Sequence, residues 1–233
     1  MYLSTNLQYL RRLRRSMTQE DLAEAMDVTR QTVAKWESGA ALPEIEKLLQ
    51  LAEIFSCTVD QLLKDDMNKA RDAYSPVRVE SLPAFRMARY AVISPDPETD
   101  AIARVKSWRE QHGLTDAPII GWDFPFVSQE QINVFHMHGY AAACILLEDA
   151  PSPTDMEYAE QPAARYCVIT IRSPMDAPFD LIPNAYHTVH SYMKINRLRG
   201  WRDERVLSCF EKEYESGGVW YMDVYITLDP LCK

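Results

Sequence analysis

No C-x-x-C pair occurs in this chain, and its five cysteines, Cys57, Cys144, Cys167, Cys209 and Cys232, are odd in number and far apart. That scatter argues against a disulfide framework or a zinc site and fits a reducing compartment, so a cytoplasmic protein is expected. No stretch approaches the roughly 18 apolar residues a membrane span needs. Arg11 to Arg15 interrupt any apolar run after Met1, so no signal peptide and no membrane partner are expected. Positive charge is scarce too. Lys and Arg number 25 against 34 Asp and Glu, a net charge of -9, which argues against a broad nucleic-acid surface. No nucleophile triad stands out, and His136 and His138 have no third ligand in sight. No catalytic residue, metal or cofactor is therefore assigned.

What is present is ordinary globular composition, 47% apolar and 25% charged residues in a chain of 233. That length suits a small module followed by a larger one. Over residues 1–66 the balance is eight basic to eleven acidic residues, and half of the basic ones are Arg11, Arg12, Arg14 and Arg15. A small basic footprint of this kind favours a homodimer, in which two weak half-site contacts add.

Leu7, Leu10 and Leu13 mark a first amphipathic helix. Thr18 can cap a second helix from about Gln19, with Asp21 at the capping-box position. Thr29 can cap a third over residues 30–37, which Ser38-Gly39 ends. Pro43 opens a fourth, with Ile45, Leu48, Leu49, Leu51, Ala52 and Phe55 as its apolar residues, and Thr58 caps a last short one. Two short capped helices joined by a tight turn are a helix-turn-helix. In the third helix Val33 and Trp36 face the core, which leaves Arg30, Gln31, Thr32 and Lys35 outward beside the cap Thr29. Arg and Gln can each pair bidentately with a base edge in the major groove, and Thr can touch a thymine methyl. Gln19, at the start of the second helix, is placed to position a phosphate. Arg11 to Arg15 read equally as phosphate contacts or as a solvated face. With T-Q-E-x-L-A at 18–23, V-T-R-Q-T-V-x-K-W-E at 28–37 and L-L-x-L-A-x-x-F at 48–55, the segment resembles the XRE (lambda-repressor/Cro-like) family. The resemblance implies a double-stranded DNA operator as partner.

Residues 67–76 are polar, end in Ser-Pro and read as a linker. Beyond them periodicity turns to alternation: strand over 77–93, helix over 97–113, strands over 119–124 and 140–147. After a Pro-rich stretch the order returns, with strand 165–171, helix 182–200 and strands 206–214 and 219–228. The expected class is thus α+β in two domains, an all-α five-helix module over 1–66 and a tandem strand-helix-strand-strand domain over 77–233. Two such halves joined edge to edge let the helices cover one sheet face and leave a groove on the other, a natural small-molecule site.

On the last hairpin Glu211 and Glu213 share a strand face, and Tyr221, Asp223 and Tyr225 lie opposite Trp220 and Met222. Rings beside carboxylates suit a flat or cationic organic ligand. V-x-S-L-P-A-F at 79–85, G-W-D-F-P at 121–125, Phe210-Glu211 and Asp223-Val224-Tyr225-Ile226 resemble the GyrI-like effector-binding family. That resemblance implies a drug-like aromatic, often cationic effector, with Glu211 in the cleft. The family's Tyr two residues after that Glu is here Glu213, so the cleft carboxylate is Glu211 or Glu213. Trp122, Tyr140, Tyr192, Trp220 and Tyr225 are candidate walls, with core packing as the alternative for each. The implied function is a ligand-responsive transcription regulator that is not an enzyme. The alternatives are a GyrI-like hydrolase of reactive strained-ring toxins, with a cleft Glu as general base, and a partner-docking regulator whose groove its own side chains fill.

Overall fold

A computed structural model describes residues 1–15, 17–69, 71–124, 127–146 and 155–232. Pro125 of the G-W-D-F-P motif, Leu147 of the expected fourth strand and the prolines at 151 and 153 lie outside the described residues. The chain divides into two units, Met1–Val77 with Phe179–Arg199, and Arg78–Pro178 with Gly200–Lys233.

The first unit is helical: α1 Leu3–Leu13, α2 Gln19–Ala25, α3 Arg30–Ser38, α4 Ile45–Ile54 and α5 Val59–Lys64. The local signals act as expected. Thr18 and Asp21 form a reciprocal capping box at α2 and Thr58 and Gln61 one at α5, while the Thr29 hydroxyl accepts from the Thr32 amide. Each satisfies amides that a helix start otherwise leaves open. Gly39 closes α3 at φ +75°, where a Cβ would be strained. Pro43 does not open α4: Glu44 is the N-cap, and the helix starts at Ile45. Nor do all its apolar residues turn inward. Leu51, Ala52 and Phe55 are buried, whereas Ile45 is 77% and Leu49 55% exposed. Asn6, fully buried, closes the bundle by donating to the carbonyls of Leu62 (3.0 Å) and Asp65 (2.7 Å), and its own oxygen accepts from the Met67 amide.

The expected linker contains a 3-10 turn, Arg71–Ala73. It is tied to a helix from late in the chain, Pro178–Ile195, most of which belongs to this same unit. Tyr74 Oη donates to Leu181 O and accepts from Asn184 Nδ2, Tyr9 Oη donates to Thr188 Oγ1, and Asn196 Nδ2 donates to Leu13 O.

The second unit is an eight-stranded antiparallel sheet. Its elements are β1 Arg78–Leu82, β2 Phe85–Ser94, α6 Pro97–Gln111, β3 Ile119–Asp123, α7 Gln129–Asn133, β4 His138–Leu146, β5 Glu157–Gln161, β6 Ala164–Arg172, β7 Cys209–Ser216 and β8 Val219–Leu228. The Pro178–Ile195 helix, α8, lies between β6 and β7 in the chain, where α6 stands in the first repeat. The strand expected over 77–93 is two strands, because Pro83 and Ala84 break it. Sheet order is β1-β6-β8-β7-β3-β4-β2-β5. The halves β2-β4-β3 and β7-β8-β6 meet at a short seam, Ile120 opposite Lys212 and Gly121 opposite Glu211. Each half receives its edge strand from the other side of the chain: β1 pairs with β6 and β5 with β2. The class is α+β, as the sequence implies.

Two cores flank the sheet. α6 buries Ala101, Val105 and Trp108, at i, i+4 and i+7, against Ala88, Ala142 and Cys144. On the other face Tyr166, Phe210 and Tyr225 pack with Trp122 and Met87.

Candidate functional site

Two sites emerge, one in each unit. In the first, α3 presents Arg30, Gln31 and Lys35 as exposed side chains behind the Thr29 cap. Thr29 and Thr32 share a hydroxyl hydrogen bond of 2.9 Å, so their side chains serve the helix start before any ligand. An open hollow beside them is lined by Arg11, Arg12, Gln19 and Arg30. Gln19 Nε2 donates to Glu37 Oε2 at 2.9 Å. Glu37, 5% exposed, also takes a forked pair from Arg11, Nε to Oε1 at 2.6 Å and Nη2 to Oε2 at 3.0 Å. One buried carboxylate thus ties the end of α3 to α1 and to the first residue of α2. The arginine cluster divides in a way that sequence did not anticipate. Arg11 serves this clamp and Met17 O, Arg14 Nη1 donates to O of Ile54, the last residue of α4, and Arg12 remains outward on the hollow.

In the second unit a pocket of about 560 Å³ lies between α6 and the sheet. That size falls in the range of drug-sized sites, roughly 300–1,000 Å³. α6 contributes Glu98, Ile102, Lys106 and Arg109, spaced along one helix face. β7 and β8 contribute Glu211, Glu213, Trp220 and Met222. These four share a side because Glu213 pairs with Met222 and Glu215 with Trp220 across the hairpin. Tyr140, from β4, forms part of the wall. Burial first, then Glu211, Glu98, Asp123 and Glu213, push its hydroxyl far above the ordinary tyrosine range, so it stays neutral. Partial desolvation raises Glu98, with Glu213, Asp123 and Asp96 adding to the effect, and desolvation also raises Asp123. Carboxylates held close enough to disfavour one another's charge are stabilised by a cation placed among them. At the other end of α6, Arg109 Nη1 donates to Ala117 O, while its buried Nε has no partner. Among the described residues no three His, Cys, Asp or Glu side chains converge as metal ligands, and no helix is long and apolar enough to cross a membrane.

Comparison with known proteins bears on the first site. A helix-turn-helix family model matches residues 7–62. Residues 7–62 are an XRE-type helix-turn-helix domain. A curated relative, the HTH-type transcriptional activator BcrR of Enterococcus faecalis, is 41% identical over 66 residues, 28% of this chain and 32% of that protein. The chain thus spans about a third of the length of the curated relative it matches. Among solved structures, a transcriptional regulator from Listeria innocua is 35% identical over 26% of this chain and 55% of its own, at a TM-score of 0.25. EcmrR in complex with DNA is 12% identical over 89% of this chain and 97% of its own, at a TM-score of 0.47.

Within the XRE-type domain, Thr29, Arg30, Gln31, Thr32 and Lys35 lie together on the capped helix, and Gln19 sits across the hollow, held by Glu37. In the second unit Glu211, Glu213, Tyr140 and Trp220 come together. Trp122 and Tyr225 do not: they point to the opposite face, 9% and 3% exposed, with Tyr225 stacked on Phe210 at 4.4 Å. Tyr192 lies on α8, in the first unit. The groove expected on the face away from the helices is occupied by this aromatic core, and the open site is on the face that α6 covers. Alternation made Tyr225 and Glu211 equally available from sequence, and only the pairing of β7 with β8 decides between them. Sequence reasoning missed Glu98, Lys106 and Arg109, although their helical spacing around Ile102 was a usable signal.

Proposed function

We propose that this protein is a ligand-responsive transcription regulator, a homodimer that reads a specific double-stranded operator through residues 1–66. In this reading residues 77–233 act as a GyrI-like effector domain for an aromatic, cationic small molecule, and residues 67–76 connect the two. The observation that carries the proposal is one chain holding both an XRE-type domain with outward Arg30, Gln31 and Lys35 and an open, carboxylate-rich pocket beside Tyr140 and Trp220. The partner-docking alternative calls for a groove filled by the protein's own side chains, which holds for the face away from α6; the open pocket on the α6 face is what favours a small molecule. Arg30 and Gln31 supply base contacts, Arg12 a phosphate contact, and Gln19 a positioning contact from the α2 terminus. In the pocket Glu211 and Glu213 pair with the cation, and Trp220 and Tyr140 offer ring faces.

Regulation follows only when the ligand prefers one DNA-binding state over another, since equal affinity for both shifts nothing. The test selects an operator from random DNA and titrates the protein by fluorescence anisotropy with and without methyltriphenylphosphonium, an aromatic cation that does not intercalate. A several-fold change in operator affinity is expected, and neutral triphenylphosphine oxide should leave it unchanged. Glu211→Gln and Glu213→Gln should each weaken cation binding, more strongly for the carboxylate nearer the charge. Identical operator affinity with saturating cation would overturn the regulatory reading.

A further inference from the structure

β3 and β4 exchange ring and glycine across the sheet in a way that neither packing core requires of both. Asp123 pairs with Tyr140 and Gly121 with Ala142, so the Tyr140 ring crosses diagonally over Gly121. A Cβ on Gly121 would lie 2.2 Å from Tyr140 Oη, 2.7 Å from Cζ and 2.8 Å from Cε1. On the opposite face Gly139 seats Phe124 similarly, its would-be Cβ 2.7 Å from that ring and 2.9 Å from the Phe124 carbonyl oxygen. The two glycines differ in what they face. Phe124 packs against the aromatic core, whereas Tyr140 and Gly121 are both walls of the pocket, and Gly121 is also a seam residue, opposite Glu211. Glycine inside a strand marks a close approach, and here the approaching group is a tyrosine hydroxyl of a wall that Glu98, Glu211 and Glu213 also line.

We infer that Gly121 is a specificity-determining residue of the pocket, acting through Tyr140. By having no side chain it lets the ring lie down on β3, which keeps the space between α6 and the seam open and holds the hydroxyl beside Glu211 and Glu98. The inference rests on the ligand-pocket reading above. With alanine at Gly121, the hydroxyl must move from 2.2 Å to the 3.4 Å of ordinary contact, a shift of about 1.2 Å. The backbone of β3 lies beneath the ring, so the displacement is away from β3, into the pocket. The clash is with the far end of a side chain, which yields at less cost than backbone. The consequence therefore falls on the shape of the pocket more than on the fold. A ligand as wide as a triaryl cation loses room and the ring face together.

The experiment is a double-mutant cycle on the full chain, with wild type, Gly121→Ala, Tyr140→Ala and the double variant titrated calorimetrically with methyltriphenylphosphonium. Gly121→Ala is expected to weaken binding at least tenfold. In the Tyr140→Ala background, whose own affinity is the baseline, the same change should alter binding less than twofold, because no ring remains to be displaced. Should Gly121→Ala alone fail to fold, the double variant must fold and bind as Tyr140→Ala does. The inference is overturned if Gly121→Ala binds as wild type, if its cost is the same with and without the Tyr140 ring, or if the double variant also fails to fold. A wild-type protein that binds no cation sinks the pocket reading itself, a result distinct from binding that is indifferent to the cycle.

Discussion

Replacing Glu37 with glutamine keeps the shape of the clamp and removes its charge. The Arg11 guanidinium, its side chain 13% exposed, then loses its counter-charge and one half of its forked pair, and retains one amide oxygen and the Met17 carbonyl at 2.8 Å. Removing one partner of a buried ion pair costs about 3–5 kcal/mol, because the remaining charge is stranded out of water. The residual exposure of Arg11 and its carbonyl contact place this case at the lower end, about 3 kcal/mol. At 1.4 kcal/mol per decade that is about a hundredfold in the opening equilibrium of the helical bundle. Hydrogen exchange read by mass spectrometry on peptides from α1, α2 and α3 measures it directly, since all three helices meet at this carboxylate. Replacing Arg11 and Glu37 together by leucine is expected to cost less than Glu37→Gln alone, because no unpaired charge remains. Acceleration below about tenfold in Glu37→Gln, or acceleration confined to α3, refutes the argument that one buried carboxylate joins the three helices.

Two further outcomes are expected. Arg30→Ala or Gln31→Ala should cost about 1–3 kcal/mol at the selected operator and relax base preference at one position, whereas Arg12→Ala should weaken all sequences alike and lower the salt slope by about 1. Anisotropy against single-base operator variants separates these, and uniform losses from all three would refute the assigned recognition face. The raised carboxyl of Glu98 gives a pH signature. A group whose pKa is higher folded than unfolded contributes its stability below the unfolded value, 4.5 for glutamate, and loses it as pH rises through the folded one. Glu98→Gln, neutral at every pH, should therefore stabilise the second unit relative to wild type at pH 7 and show less gain at pH 4. An equal gain at both pH values in thermal unfolding would contradict the crowding assigned to that carboxylate.

Local chemistry made the first unit legible. Thr18, Thr29, Thr58 and Gly39 act on amides and carbonyls within four residues of themselves, so their sequence context contains the whole interaction. α4 departed from expectation for the same reason in reverse. Its apolar residues outnumber what one helix face can bury, and composition alone does not say which side turns inward. In the second unit the strand and helix order was readable, but β1 and β5 exchange halves, a pairing between residues far apart in the chain that periodicity does not encode. The pocket was half legible. Glu211 and Glu213 were found on one strand, but whether they shared a face with Trp220 or with Tyr225 depended on a hairpin register set by the Gly217-Gly218 turn. Gly121 was visible as part of a motif, without the ring that explains it.

The way the chain is threaded through the two units bears on how the protein can be taken apart. It passes from the first unit to the second after Val77, returns after Pro178 and leaves again after Arg199. A protease nick in residues 67–76 would cut the first unit within itself, leaving α1–α5 held to its Phe179–Arg199 segment by contacts alone. Expressing residues 77–233 alone would leave Thr188 of α8 and Asn196, just after it, without Tyr9 and the Leu13 carbonyl, their hydrogen-bond partners on α1. The two units are thus interleaved in sequence, because α8, the longest helix among the described residues, lies in the chain between strands of the second unit and belongs for most of its length to the first.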